Sequence, residues 1–332
     1  MLTQIKYSIL LITLLLSMVP FSPLSDYGAF KLNIVDVKVK GGYSKCTKYE
    51  YSYQLGEFDS DSKTKLSVYN YDNRGYMIEN IEYNSDDSIK RRTTYKYDEK
   101  GNRIELISYN SKGSIIGKNT YKYDEKGNLI EDLDYRYDGS IFQTNTYIYD
   151  VKGNLIEEIR YNSEGSTWKE NYKYNEKGNK IEKISYNSKG SITLKENYKY
   201  NEKANKIEKI SYNSIDSITL KETYKYNEKV NLIEKISYNS KDSIESKNNY
   251  KYDGRGNWIE DIEYNSVGSI LSKGIFKYDE KGNWICYIWY KSDGSIGNKW
   301  TSIFDEQGNL IEVIRYNEVN EPFTKYEYIY SK

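Results

Sequence analysis

The side chains able to do chemistry in this chain are carboxylates, amines and aromatic rings, because its 332 residues include no histidine and only two cysteines. Without histidine there is no Ser-His-Asp or Cys-His relay, no His-ligated zinc and no ordinary general base. Cys46 and Cys286 stand far apart and make no thiolate metal site. A glycosidase needs two carboxylates at a set separation in a cleft. The glutamates instead recur once per repeat, at Glu79, Glu105, Glu131, Glu157, Glu182, Glu208, Glu234 and Glu260. A carboxylate in every unit is a surface pattern, so no catalytic residue, cofactor or enzyme activity is expected. Asp59 and Asp61 resemble the start of a calcium loop, but Thr64 and Asn70 hold the places of its glycine and its last glutamate. The segment reads as a polar loop without a metal.

Aromatic residues give the sharper signal. Four of the five tryptophans lie late: Trp258, Trp284, Trp289 and Trp300. Trp258 and Trp284 hold the same place in adjacent repeats, where others carry Leu129, Leu155, Lys180 or Arg103, so they should neighbour each other on one face. Tyr287 and Trp289 stand where other repeats have Lys183 and Ser185, which adds aromatic surface to a normally polar face. Trp300 lies two places before Ser302, which has lost the aromatic of its position, and fills that gap from the same face. Mutual packing accounts for Trp258 and Trp284; for Tyr287 and Trp289, packing and ligand contact stand level. Exposed aromatic patches mark interaction surfaces, and flat Tyr and Trp faces suit sugar rings. The candidate ligand-binding residues are Trp258, Trp284, Tyr287, Trp289 and Trp300.

What positions them is a repeat. From Tyr69 a unit recurs at Tyr95, Tyr121, Tyr147, Tyr172, Tyr198, Tyr224, Tyr250, Phe276 and Ser302, ten copies at a spacing of 26 residues apart from one copy of 25 and a last of 24. Such a fixed period means an array. Each unit has two turns of the form Asp/Asn, two polar residues, Gly, as in Asp98–Gly101 and Asn110–Gly113. The acidic or amide side chain caps the turn and glycine takes the positive φ. Between turns the apolar residues alternate, so each unit is two antiparallel strands and the chain a meander of roughly twenty. The leading tyrosines should form a ladder spaced by two strands, roughly 9.6 Å. Ile104 and Ile107 are three apart, so either a bulge brings them to one face or both faces carry apolar surface. Ala204 and Val230 hold the turn-glycine place, where positive φ is costly, and another turn type is expected there. Asp87, Asp216 and Asp242 replace the second-turn glycine, which Asp tolerates better.

Residues 1–25 read as a secretory signal: Lys6, an apolar run from Tyr7 to Val19, then Ser22 and Ser25. The run is short for a membrane span, and the absence of a clean small-x-small site leaves an uncleaved anchor open. Residues 26–68 form an N-terminal β cap, with an opening strand over Lys31–Val39, a strand carrying Tyr49, Tyr51 and Tyr53, and edge-guarding Lys38 and Lys40. The ten repeats fill 69–325, and 326–332 is a half-repeat serving as a closing edge strand after Pro322. With 49 Lys+Arg against 49 Asp+Glu there is no net field to draw nucleic acid or anionic membrane. The interleaved charges pair across strands on wet faces. By alternation Lys180, Glu182, Ile184 and Tyr186 share one face and Ile181, Lys183 and Ser185 the other; neither meets lipid, so no transmembrane barrel is expected. In an open array Cys46 and Cys286 stand on the order of 80 Å apart, and no disulfide is expected.

Tyr-x-Tyr-Asp-x-x-Gly-Asn, at Tyr95–Asn102, Tyr121–Asn128, Tyr147–Asn154 and Tyr250–Asn257, resembles the YD repeat of the RHS-repeat family, from about Tyr69 to the end of the chain. The resemblance implies an all-β fold of tandem β-hairpin repeats in one long twisted or spiralling antiparallel sheet, a solenoid or open shell. It also implies a secreted or surface protein linked to carbohydrate binding, intercellular contact or toxin encapsulation. The unit here is longer than the usual YD repeat, has a second Tyr-Asn-Ser-x-Gly-Ser turn, and is followed by no toxin domain, so encapsulation is not expected. The expectation is a secreted or cell-surface/periplasmic bacterial protein that binds extracellular or cell-surface polysaccharide through the late aromatics. The alternative is a non-enzymatic structural scaffold that meets a surface protein.

Overall fold

A computed structural model describes residues 38–54 and 57–332; the expected signal at 1–25, and the opening strand as far as residue 37, lie outside the described residues. The strands are β1 (Lys45–Gln54), β2 (Glu57–Phe58), β3 (Thr64–Tyr71), β4 (Met77–Tyr83), β5 (Ile89–Tyr97), β6 (Arg103–Asn110), β7 (Ile115–Tyr123), β8 (Leu129–Tyr135), β9 (Ile141–Tyr149), β10 (Leu155–Asn162), β11 (Thr167–Tyr174) and β12 (Lys180–Tyr186). They continue as β13 (Ile192–Tyr200), β14 (Lys206–Tyr212), β15 (Ile218–Tyr226), β16 (Leu232–Tyr238), β17 (Ile244–Tyr252), β18 (Trp258–Asn265), β19 (Ile270–Tyr278), β20 (Trp284–Lys291), β21 (Ile296–Phe304), β22 (Leu310–Tyr316) and β23 (Pro322–Ser331). β2 pairs only with the end of β1, and a 3-10 turn at Ser60–Ser62 follows, capped by the Asp59 carboxylate.

Setting β2 aside, the other 22 of the 23 strands form one antiparallel sheet in chain order, except that β1 bonds to β3 on one side and to β23 on the other. The sheet is therefore a closed barrel. This corrects the expected open spiral, solenoid or shell: a repeat period fixes how each unit meets the next, whereas closure depends on the non-repeat strand β1. The expected closing edge at Tyr326–Tyr330 is likewise no edge, since Tyr326, Tyr328 and Tyr330 pair with Glu50, Lys48 and Cys46.

The turns follow their side chains. The Asp98 carbonyl accepts the Gly101 N–H at 3.1 Å, and its carboxylate accepts the backbone N–H and side-chain amide of Asn102 at 2.8 and 2.9 Å. Ala204 and Val230 sit at φ +62° and +70° and keep the same bond, to the Asn201 and Asn227 carbonyls at 3.0 Å. The expected change of turn type does not occur. A different loop would shift the register of strands paired on both sides, so the local strain is the smaller cost. At the same rim the third turn residue reaches the next turn's backbone: Lys100 to the Glu125 carbonyl at 2.8 Å, Arg255 to Glu280 at 2.7 Å and Lys281 to Glu306 at 3.0 Å.

Each full unit has two bulges. Near the first turn Lys96 opposes Glu105 and Tyr97 opposes Arg103, which leaves Ile104 as the extra residue and brings it to the face of Ile107. The faces expected from strict alternation are corrected accordingly. On β12, Ile181, Glu182, Ile184 and Tyr186 share one face, and Lys180, Lys183 and Ser185 the other. Near the second turn Ile116 is extra, between the pairs Ser108–Gly117 and Tyr109–Ile115. The 25-residue copy lacks this second bulge, since Arg160–Trp168 and Tyr161–Thr167 pair in step.

Crowding identifies the inner face. The side chains of Glu196 and Glu222, on the tyrosine face, are 10% and 9% exposed, against 18% for Glu105 and 69% for its partner Lys96 on the isoleucine face. Burial holds Lys180 and Lys206 below the ordinary lysine range, whereas the Glu105 and Glu208 carboxylates raise Lys96 and Lys199. Side chains converge on a concave wall and splay on a convex one, so the tyrosine face lines the lumen. The circumference of 22 strands is too long for wall side chains to fill.

The second tyrosine of many units ties that unit to the one before it. Tyr97 donates to the Met77 carbonyl at 2.9 Å, Tyr123 to Arg103 at 2.9 Å, Tyr200 to Lys180 at 2.7 Å and Tyr330 to Leu310 at 3.0 Å. Each acceptor directly precedes a bulge residue, so the phenol supports the backbone where the ladder breaks. Phe304 has no hydroxyl for the matching carbonyl of Trp284, and Ser302 donates to that carbonyl instead. This accounts for serine at a ladder position. Tyr330 in turn marks Tyr328, 26 residues after Ser302, as the ladder residue of β23.

Two outcomes are expected in guanidinium unfolding. Ser302→Ala lowers stability by about 1 kcal/mol, and adding Phe304→Tyr restores it. Val230→Gly raises stability by about 1 kcal/mol, while Gly127→Val, at φ +88°, lowers it by at least that much.

Candidate ligand-binding site

Six consecutive strands, β17 to β22, place an unbroken row on the lumen wall. Tyr250 meets Trp258 edge-on at 5.7 Å between ring centroids, Trp258 meets Phe276 at 4.8 Å, and Phe276 stacks on Tyr287 at 4.8 Å and 30°. Tyr287 lies opposite Trp300, and Trp300 opposite Arg315, whose guanidinium carbon is 4.6 Å from the Trp300 ring centroid. All six side chains are half-buried. The Trp258 indole N–H donates to the Glu260 carbonyl at 2.9 Å, which fixes the ring against the wall. The rings meet because side chains of adjacent strands on one face lie within contact distance.

All five residues singled out from the sequence face the lumen. Trp258, Tyr287 and Trp300 belong to the row. Trp289 lies one step along β20, opposite Gly274 and Asn298, with its ring on the space where a side chain at Gly297 would stand. Trp284 lies nearer the first-turn rim, opposite Tyr278. Trp258 and Trp284 share a face, but β19 runs between their strands, and the ring beside Trp258 is Phe276. Ser302 and Trp300 lie on the same face, opposite Val313 and Arg315.

Asp261 adds a charge beside the row, opposite Tyr250 and Gly274. Burial, aided by Glu263, pushes its carboxyl up to about 6. Gly274 takes the place held by Glu170, Glu196, Glu222 and Asn248 in earlier units, and its missing side chain leaves the room that the Asp261 carboxylate occupies. A glycine inside a strand was the available signal for this close approach. Arg315, Phe276 and Tyr250 were not singled out, because each looks like an ordinary residue of its position.

A second arrangement lines the wall from β11 to β16. The Glu170, Glu196 and Glu222 carboxylates are bridged by Lys183, Lys209 and Lys235 at 2.5–2.6 Å. They also accept the hydroxyls of Tyr172, Tyr198 and Tyr224. Burial acts to raise Glu196 and Glu222, but the lysines and tyrosines outweigh it and hold both below the usual carboxylate range. On the convex wall the pairs expected from the sequence are present, as in Lys96–Glu105 and Lys199–Glu208 at 2.6 Å. Cys46 is buried and Cys286 half-buried, and both are free thiols; burial pushes the Cys46 thiol up to about 12.

No protein-family model and no curated protein matches the chain. Similar solved structures include that of TcdB2-TccC3-Cdc42, 12% identical with a TM-score of 0.32 over 79% of this chain and 19% of that one. Others are the Photorhabdus luminescens Tc holotoxin pore, 13% identical with a TM-score of 0.30 over 79% and 19%, and a porin-like protein from Bacteroides uniformis, 10% identical with a TM-score of 0.33 over 88% and 98%. The chain spans about a fifth of the length of the first two. Scores at this level carry no argument about fold or function, and the YD-repeat family stays a resemblance carried by Tyr-x-Tyr-Asp-x-x-Gly-Asn.

Asp261 sets a pH dependence. Its folded value, about 6, lies above its ordinary 3.8, so between these values the native state holds a proton that the unfolded chain has lost. Its contribution is complete below about 3.8 and is lost as pH rises through about 6. Comparing guanidinium midpoints at pH 4 and pH 7, Asp261→Asn should show a smaller fall with rising pH than the wild type.

Proposed function

We propose that this barrel binds an extended carbohydrate chain within its lumen, along the row from Tyr250 to Arg315, as a secreted or cell-surface protein. The observation that carries this reading is the row itself: five rings on consecutive strands, half-exposed, ending in a guanidinium. The apolar faces of pyranose rings suit such a platform, while Arg315 and Asp261 offer hydrogen-bonding groups to hydroxyls at its margins. The signal-like stretch at the N-terminus supports the extracellular placement.

The convex wall favours a second reading, a scaffold for a protein partner. It carries two bands of isoleucines, Ile104, Ile181 and Ile207 among them in one and Ile115, Ile218 and Ile244 in the other, each 37–42% exposed. Strand addition offers that reading little support, because the barrel sheet is closed and, among the described residues, only the two-residue β2 keeps an unpaired side.

Intrinsic tryptophan fluorescence, titrated with a panel of neutral and acidic polysaccharides, tests the lumen reading. A saturable change is expected in the wild type, weakened about tenfold or more in Trp300→Ala and in Tyr287→Leu, both still folded by circular dichroism. A folded wild type that responds to no glycan overturns it.

A further inference from the structure

Lys180 and Lys206 depart from the repeat at a place where their neighbours are apolar. The equivalent residues are Leu129 and Leu155 before them, and Leu232 after them. Both face the lumen, directly after a first turn, and both are half-buried. Lys180 Nζ lies 5.3 and 5.2 Å from the ring centroids of Tyr172 and Tyr198, and Lys206 Nζ 4.3 Å from that of Tyr224.

The charges around them do not balance. Lys183, Lys209 and Lys235 are matched by Glu170, Glu196 and Glu222 in ion pairs of the same wall. Among the described residues, neither Lys180 nor Lys206 enters an ion pair of that network. With Arg160 paired to Glu158 at 3.7 Å on the adjoining strand, five lysines and one arginine meet four carboxylates, and two cations remain over tyrosine faces. Burial opposes their charge, so each is costlier there than the leucine of the flanking units at 129, 155 and 232. Glu196 and Glu170 offset this in part for Lys180, and Glu222 for Lys206, without forming an ion pair with either; a ligand anion in the lumen can supply the rest.

We propose that this sector of the lumen, from β12 to β14, is a subsite for acidic polysaccharide in which Lys180 and Lys206 each take one carboxylate of the chain. The inference rests on the reading that the lumen binds glycan and adds that the glycan is anionic. The two lysines stand on strands two apart, roughly 9–10 Å at ordinary strand spacing, a separation that two sugar units span. The tyrosine rings beneath them give the sugar faces a stacking surface, and Tyr198 lies between the two strands.

Calorimetric titration with polygalacturonate and with an uncharged glucan of matched length tests it on the full chain. Lys180→Leu/Lys206→Leu puts the residue of the flanking units, Leu155 and Leu232, at both places, so the fold is kept. The wild type is expected to bind polygalacturonate more tightly than the glucan, with an affinity that falls as salt is added. The double variant should lose about tenfold or more for polygalacturonate and most of the salt dependence, while Lys199→Leu on the convex wall changes neither. Equal affinity of wild type and double variant for polygalacturonate overturns the subsite, and so does a wild type that binds only the glucan; in both cases the glycan-binding lumen survives. Loss in the double variant with none in Trp300→Ala supports the subsite and removes the aromatic row from the binding path. A wild type that binds neither probe overturns the subsite as well.

Discussion

The structure depends on one strand being hydrogen-bonded on both sides. The repeats supply β3 to β23, an odd number of alternating strands, so the first and last run in the same direction and cannot join as antiparallel neighbours. β1 runs opposite to both, fits between them and makes the number even, as a closed antiparallel meander requires. The N-terminal strand and the C-terminal half-unit therefore act together as one more hairpin without a covalent turn. The seam has its own contacts. The Lys40 N–H donates to the Asn309 side chain at 3.0 Å, the Tyr51 hydroxyl to Glu327 at 2.7 Å, and Lys48 lies over the rings of Tyr326 and Tyr328. With closure, two rows of unpaired backbone groups disappear, and with them the sites at which further strands could add.

Within the wall, bulges do the sorting that simple alternation would do wrongly. Shifting Lys180 relative to Glu182 lets lysine, glutamate, tyrosine and serine collect in the lumen while isoleucine and the exposed ion pairs go outside. The cost is a break in the ladder, and the second tyrosine of Tyr-x-Tyr-Asp reaches back to the carbonyl beside that break. Ser302 shows that the hydroxyl matters more than the ring. Where Phe304 removes it, a different side chain reaches the same carbonyl.

Local features of this fold were legible in the sequence and non-local ones were not. The turns, the hairpin unit and the tyrosine ladder follow from residues within a few places of one another. The 25-residue copy was visible as a deletion, although only pairing shows that the missing residue is a bulge. Closure joins residues near 50 to residues near 325, and no period links them. Val230 looked incompatible with its turn because propensity was weighed without the strands on either side, which hold the register. Trp289 and Tyr287 stood out as departures from the repeat, whereas Arg315 and Gly274, which complete their surroundings, gain meaning only once β19 and β22 are known to flank β20 and β21.

The division of labour between the two faces bears on where function can reside. Stability here comes from ladders, turns, rim contacts and phenol-to-carbonyl bonds, which recur along the chain and draw on lumen side chains through the second tyrosine and, in one unit, through Ser302. A barrel of this girth cannot fill its interior, so lumen residues are not held to one packing solution as core residues are. Successive units therefore place leucine, lysine or tryptophan at the same point of the wall with the same backbone around it. Residues on the lumen face can thus change in chemistry, from the Glu-Tyr-Lys sector of β11 to β16 to the aromatic sector of β17 to β22, without changing the register that holds them. Selectivity for a ligand is free to be written there, one unit at a time.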